Sequence, residues 1–570
     1  MLTGFSLLLL IFSSISAHAV RTENMEILFQ KTNWREDSDV FGMAIFNAGD
    51  MNQDAYEDIM IAVREYHPEA CSDSCFWGRV YLFNGGSPMD TILDWSWVGG
   101  RGNGGGLQSL TSADLNGDGW RDVIFGESYA DVVDTLSWAF GTVRIFFGGS
   151  TLDSLPNLIL DGLFADEPGP LGPGRFGNSV STGDLNGDGY EDLVVGDPNA
   201  ENGGFPAGLD GRVYIYWGGP GFHANSSDMT LYGSNEEHFG ESVGSGGDLN
   251  SDGFEDLVVG APDNSELYFW GGKIYIYFGG NPMDTIADLW MYGEEPGNFL
   301  GEANVSILKN ETDYDRVLTG TYAWSSPARG KVYVLNGGNP MDNIPDVELL
   351  GKEGSGFGIW SSSAGEVNTS VYEDFIVGAP WEEASRGVIY FYFGDSPLDT
   401  LYDAKMIGRY DYPSTGRGDY IGYKVASAGD VDGDGLDEVM VSNYPSDSLK
   451  TVWVLKYLPL GVEEEVHKSP YIIKLFQNYP NPFQNSTLIQ YQIPMSNDKS
   501  QMTNIHLTIY DITGRLVVTL VNEPQESGVY QLPISNHQLP GSGVYFYRLN
   551  VGANGRSPSY TQTRKMILLR

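Results

Sequence analysis

The sequence predicts an all-β chain, a seven-bladed β-propeller followed by a small Ig-like β-sandwich. Three observations lead there. Glycine makes up 74 of 570 residues, about twice its usual share of roughly 7%, which calls for many turns and few helices. One pattern of four short apolar runs recurs seven times between residues 33 and 458. The seventh copy lacks its fourth run, and a matching run stands ahead of the first copy, as a ring closed by its own N-terminus requires.

The chain opens with an apolar run, Phe5 to Ile15, followed by Ala17-His18-Ala19, which predicts a secretory signal peptide over residues 1–19. At eleven residues the run is too short to span a bilayer, and no other segment is predicted to do so. The expected location is therefore secreted or on the outer cell surface. Met25 to Phe29 is the run that completes the last repeat.

The clearest repeat begins at Phe239-Gly240. A short strand ends at Gly247, and an Asp-rich loop, Asp248 to Asp256, follows. The apolar run Leu257-Val258-Val259 leads into Gly260-Ala261-Pro262, then come strands at Lys273 to Phe278 and Asp288 to Tyr292. The Asp-rich loop starts at Asp50, Asp114, Asp184, Asp248, Leu308, Glu366 and Asp430, at intervals of 64, 70, 64, 60, 58 and 64. Four β-branched or aromatic runs per period, bounded by Gly, Pro, Asn and Asp, describe one four-stranded antiparallel sheet per repeat. The ring is expected to occupy residues 20–458.

Within the loops, oxygen-bearing side chains fall at positions 1, 3, 5 and 9, with a carbonyl at position 7, which is the ligand spacing a hard cation such as Ca²⁺ requires. Asp114, Asn116, Asp118, Trp120 and Asp122 form one set; Asp184, Asn186, Asp188, Tyr190 and Asp192 a second; Asp248, Asn250, Asp252, Phe254 and Asp256 a third. Asp50, Asn52, Asp54, Tyr56 and Asp58 repeat it with Ala55 in place of glycine, and Asp430, Asp432, Asp434, Leu436 and Glu438 with Glu at position 9. About five calcium sites are expected. The fifth loop, read as Leu308, Asn310, Thr312 and Arg316, should be empty because an arginine competes with a cation; the sixth offers Glu366, Asn368, Ser370 and Asp374. An EF-hand or dockerin loop would carry an acidic ligand at position 12 between helices, whereas here Phe125, Val195 or Val259 stands there inside an apolar run. Asp-rich turns without a cation are the plainer alternative, but their carboxylates would repel one another.

These repeats resemble FG-GAP repeats, the blades of the integrin α-subunit propeller and of related bacterial surface proteins. Phe41-Gly42, Phe176-Gly177, Phe239-Gly240 and Phe357-Gly358 match the FG, Gly260-Ala261-Pro262 and Gly378-Ala379-Pro380 match the GAP, and the Asp loops match the family's calcium motif. The resemblance implies a calcium-binding adhesion module for a protein or glycan ligand, without the inserted domain of some integrins.

Charge separates the two halves. The last 112 residues hold 9 basic and 7 acidic residues, leaving 23 and 69 for residues 1 to 458, or -46. Such a surface repels nucleic acid and anionic bilayers. A linker is expected over residues 459–471, around Glu463-Glu464-Glu465. Beyond it, strands at Thr487 to Ile493 and Ile505 to Tyr510, the Asp511 to Arg515 turn, Gly543 to Tyr547 and the basic ending at Arg570 read as an antiparallel sandwich. Residues 472–570 closely resemble the C-terminal sorting domain of type IX secretion cargo, which implies the outer-membrane secretion machinery as a partner.

Cys71 and Cys75 admit two readings, a small loop disulfide or, with His67, a metal site. Arg417-Gly418-Asp419 is read as a turn. No catalytic residue is assigned: His67, His223 and His238 sit in no recognisable motif, and the chain is expected not to be an enzyme. The alternative is a calcium-dependent polysaccharide lyase or hydrolase on a propeller scaffold. A deep cleft with paired carboxylates opposite the Asp loops would favour it, and a shallow aromatic surface would favour binding.

Overall fold

The structure is a computed structural model that describes residues 21–22, 25–32, 40–66, 76–99, 107–128, 141–162, 175–200, 209–223, 226–302, 305–310, 314–321, 329–368, 372–394, 398, 400–408, 418–444, 450–458, 474–475, 483–493, 503–512, 514–525, 528–552 and 560–569. Residues 1–19, expected to be a signal peptide, His67, Cys71, Cys75, Thr312, Ser370, Arg417 and the expected linker 459–471 lie outside the described residues. The chain divides into two compact units, Met1–Pro459 and Leu460–Arg570.

Among the described residues, seven antiparallel sheets make up the first unit, spanning residues 40–98, 107–161, 179–232, 243–292, 305–350, 361–407 and 424–457, here blades 1 to 7. Each first strand touches the first strands of the blades on either side, and Lys424–Gly429 of blade 7 touches Val40–Gly49 of blade 1, so the ring is closed. Blade 7 takes its outermost strand, Met25–Thr32, from the N-terminus, where Ile27 pairs with Leu455 and Thr32 with Thr451. Phe29 of that strand is buried with its ring 5.1 Å from Phe83 of blade 1. Blade 6 departs from the four-strand expectation, because Arg21–Thr22 adds a fifth strand against Met406 and Ile407.

Burial explains the sequence texture. Second strands such as Asp256–Ala261 are buried at every residue, hence their unbroken apolar runs, whereas the outermost Leu289–Tyr292 is buried only at Met291. The core is shared between neighbours: Val194, Val213 and Ile215 of blade 3 pack with Leu257, Val259 and Tyr277 of blade 4.

The FG and GAP glycines meet across the blade junctions. A Cβ on Gly196 of blade 3 would lie 2.2 Å from the Gly240 carbonyl oxygen of blade 4, and one on Gly126 would lie 1.8 Å from that of Gly177. Gly260 and Gly301, Gly320 and Gly358, and Gly378 and Gly422 repeat the contact. At the junction of blades 7 and 1 a serine takes the place, and Ser442 Oγ donates to the Gly42 carbonyl at 3.2 Å.

The second unit packs two antiparallel sheets around one core. One joins Lys474–Leu475, Ser486–Ile493 and Gly528–Ser535; the other orders Leu516–Gln525, Thr503–Asp511, Gly543–Gly552 and Tyr560–Leu568. Tyr491 of the first and Tyr547 of the second are fully buried together with Ile489, Leu507 and Met566.

Gly196→Ala should destabilise the propeller by about 1–3 kcal/mol through overpacking. Chemical denaturation should show the loss, and a midpoint equal to wild type would mean the junction has room for a methyl group.

Candidate functional site

Each Asp loop bridges the first and second strands of a blade, so all lie at one end of the blades. The loops of blades 1 to 4 share one hydrogen-bond pattern, seen in blade 2. Asp114 accepts the N–H of Asp118 at 3.0 Å and of Gly119 at 2.8 Å, Asn116 also accepts Asp118 N–H at 2.8 Å, and Asp118 accepts Trp120 N–H at 2.9 Å. Position 6 requires a left-handed backbone, φ +89° at Gly119 and Gly189 and +91° at Gly253. Ala55 adopts φ +71° in blade 1, at a cost of about 1–2 kcal/mol, so that loop keeps the shape without the glycine.

The position-9 carboxylate ties the loop to the rest of the blade. Asp122 is buried, accepts Leu115 N–H at 3.0 Å inside the loop and accepts Gly148 N–H at 2.8 Å after the third strand. Asp58, Asp192 and Asp256 make the same two bonds, to Met51 and Gly85, Leu185 and Gly218, and Leu249 and Gly279. Burial pushes the carboxyls of Asp58, Asp122, Asp192 and Asp256 up to about 7, and the aspartates at positions 1 and 5 push in the same direction. An ionised carboxylate there is costly unless a cation balances it. Carboxylate and amide oxygens crowded on a backbone-tied loop suit a hard cation.

Among the described residues, three carboxylates converge within 4.8 Å only at Asp430, Asp432 and Asp434 of blade 7. Lys456, unanticipated from the sequence, enters that loop: its Nζ contacts Asp432 and lies 2.6 Å from Asp434. The fifth loop needs a correction in register. Leu308 pairs with Arg316 as the last residue of its strand, so the loop starts at Lys309 and is one residue shorter than the others. Arg316 donates to the Gly394 carbonyl at 3.1 Å.

A second set of residues was missed in the sequence, the acids at position 8. Glu191 accepts the N–H of Asp114 in the preceding blade at 3.0 Å, Glu255 that of Asp184 at 2.8 Å, Asp315 that of Asp248 at 2.7 Å, and Asp437 that of Glu366 at 2.7 Å. Glu373 accepts the Lys309 N–H in the same way. The signal was the acid preceding position 9, as in Tyr190-Glu191-Asp192.

At the other end of blade 4, the segment between Ala261 and Lys273 carries an aromatic ledge. Leu267, Phe269 and Trp270 are exposed, the Phe269 and Trp270 rings are 4.3 Å apart, and Phe299 stacks on Trp270 at 5.7 Å. Trp270 is held at φ +52°, a costly conformation for an aromatic residue, by its N–H to Ser265 Oγ and by Gly271 N–H to the Tyr268 carbonyl. First strands line a cavity of about 360 Å³ that includes Glu241, Glu302, Trp360 and Lys424. Glu241 is paired with Arg175 at 3.0 Å. Glu302 is pushed up to about 7 by burial and by Glu241 and Asp263, and burial pushes Lys424 down to about 7.

Asp122→Ala should leave the N–H groups of Leu115 and Gly148 without acceptors, costing about 1–3 kcal/mol for each. Asp122→Asn, which keeps one acceptor, should lose less; equal midpoints for both variants and wild type in chemical denaturation would refute the bridge.

Residues 176–216 and 239–277 match the FG-GAP repeat family, and residues 477–567 match the secretion system C-terminal sorting domain. The chain is 31% identical over 233 residues to integrin alpha-5 of Xenopus laevis, covering 40% of this chain and 20% of that one. It is 36% identical over 154 residues to integrin alpha-7 of Rattus norvegicus, 26% of this chain and 12% of that one. Integrin alpha-PS5 of Drosophila melanogaster is 33% identical over 177 residues, 28% and 15% of the two chains. The matches thus span a fifth or less of these relatives. Among the described residues no helix is long and apolar enough to cross a membrane. The chain thus carries FG-GAP repeats, is similar over part of its length to integrin α chains, and matches a secretion system C-terminal sorting domain over residues 477–567.

Proposed function

We propose that this protein is a secreted or surface-attached binding module, a calcium-dependent propeller that holds a protein or glycan ligand and is exported through residues 472–570. The observation that carries the binding reading is the aromatic ledge at Phe269 and Trp270, solvent-facing, rigidly held and opposite the Asp loops. Stacked exposed rings on a strained, hydrogen-bonded turn offer apolar contact at little cost in conformational entropy. The test is a glycan and protein array probed with the full chain: a ligand should be retained by wild type and lost on Trp270→Ala, and equal retention would move the site elsewhere.

Calcium is proposed for the loops of blades 1 to 4, held by Asp50, Asn52, Asp54 and Asp58 and their counterparts through Asp256. Bound Ca²⁺ would supply the positive charge that their crowded carboxylates lack, and binding only the folded state would stabilise it by mass action. Chelation should lower the melting temperature, and Mg²⁺, which demands near-ideal octahedral geometry, should restore it poorly. Asp188→Ala should remove one bound calcium, whereas Asn310→Ala in the shortened fifth loop should leave the count unchanged. Superimposable calorimetric transitions with and without chelator would overturn the calcium reading.

The match over residues 477–567 supports export by a secretion machinery. Deleting residues 472–570 should retain the propeller inside the outer membrane of a secretion-competent host, measured by cell fractionation. Unimpaired release of the truncated chain would remove the basis for that role.

A second reading, a polysaccharide lyase or hydrolase, draws on the cavity, where Glu302 and Lys424 both have pKa values shifted to about 7. Turnover of an arrayed glycan, abolished by Glu302→Gln, would favour it over simple binding.

A further inference from the structure

We propose that the seventh Asp loop carries its own cation, the ammonium of Lys456, in the place where the loops of blades 1 to 4 take calcium. The proposal rests on the calcium reading of those four loops and concerns a loop that the same reading would otherwise include.

Three residues differ together in blade 7. Position 3 is Asp432 where the four loops have Asn52, Asn116, Asn186 and Asn250. Position 9 is Glu438 where they have aspartate. The residue after Leu455 is Lys456, where the residue after the corresponding strand position is Asn84, Phe147, Trp217 or Phe278. The additional carboxylate, the longer acid and the cation meet at one point. Lys456 Nζ contacts Asp432, lies 2.6 Å from Asp434 and 3.8 Å from Glu438 Oε1, and its side chain is only 13% exposed.

Ring closure explains why the exchange falls in this blade. In blades 1 to 4 the third strand is followed by a glycine, Gly85, Gly148, Gly218 or Gly279, whose N–H fills the second oxygen of the position-9 aspartate. In blade 7 the third strand runs on to Tyr457, because its partner is the N-terminal strand, with Met25 opposite Tyr457 and Glu26 opposite Lys456. That glycine has no counterpart. Glu438 keeps the bond from Val431 N–H at 3.1 Å through Oε2, while Oε1, fully buried, accepts no hydrogen bond among the described residues and faces the ammonium. A tethered cation also adds no dependence on calcium to the blade that joins the two ends of the ring.

The test compares calcium bound by the full-length wild type and by Lys456→Met, both titrated with CaCl₂ and measured by elemental analysis after desalting. The variant should bind one more calcium than wild type, and equal counts would overturn the proposal. No calcium in wild type would instead refute the calcium reading of blades 1 to 4, while the difference between the two chains would still decide the role of Lys456. Should the variant fail to fold, amide hydrogen exchange on wild type decides it. On adding chelator, protection at Asp434 and Gly435 should persist while that at Asp118 and Gly119 falls; parallel loss at both loops would overturn the proposal.

Discussion

The ring rests on how closely two backbones approach where consecutive blades meet. The Gly196 and Gly240 backbones come so near that a single methyl group would sit 2.2 Å from a carbonyl oxygen, and the same contact recurs at Gly260 and Gly301 and at Gly378 and Gly422. Only glycine permits that approach, so the two halves of the motif, one opening a blade and one closing the second strand of its predecessor, are the two sides of one junction. The approach brings second and third strands of neighbouring blades into a shared core, which is why Asp256–Ala261 and its equivalents are buried on both faces and read as unbroken apolar runs.

Much of this was legible because it is periodic. Strand runs, turn glycines and Asp loops repeat at a nearly constant interval, and the run missing after Leu455 points to the closing strand at Met25, which pairs there. Legibility failed where the periodicity did. The fifth loop is one residue short, so counting from its neighbours placed Leu308 in the loop when it ends the strand. Arg21–Thr22 pairs with blade 6 through a two-residue strand too short to carry any pattern.

The oxygen-bearing positions of the loops are legible in the sequence, and the groups they bond to are not. Position-1, 3, 5 and 9 oxygens lie within nine residues, so their spacing is written in the chain. Lys456 lies 24 residues from Asp432, and the ledge at Phe269 and Trp270 falls outside the spacing of the Asp loops, so neither is announced by that repeat. Only the register of the third strand of blade 7 brings Lys456 to the loop.

The position-8 acids separate two roles that the Asp loops combine. In blades 3 and 4, Glu191 and Glu255 reach back to the first N–H of the preceding loop, so each loop is fastened to the next blade as well as to its own. The blade 5 loop is shortened and opens on Lys309 in place of an acid, yet its Asp315 still makes the same backward bond, and Glu373 of blade 6 makes it to Lys309 of that shortened loop. A fastening kept where the ligand set has decayed cannot depend on a cation. Between blades 2 and 7 the junctions are therefore held by glycine contact and by these acids, and a cation, in the reading proposed above, would act within the loop, where it would offset the buried position-9 carboxylate. Blade 7 follows the same division: Asp437 fastens the junction to blade 6 through Glu366 N–H, while Asp432, Asp434 and Glu438 face Lys456.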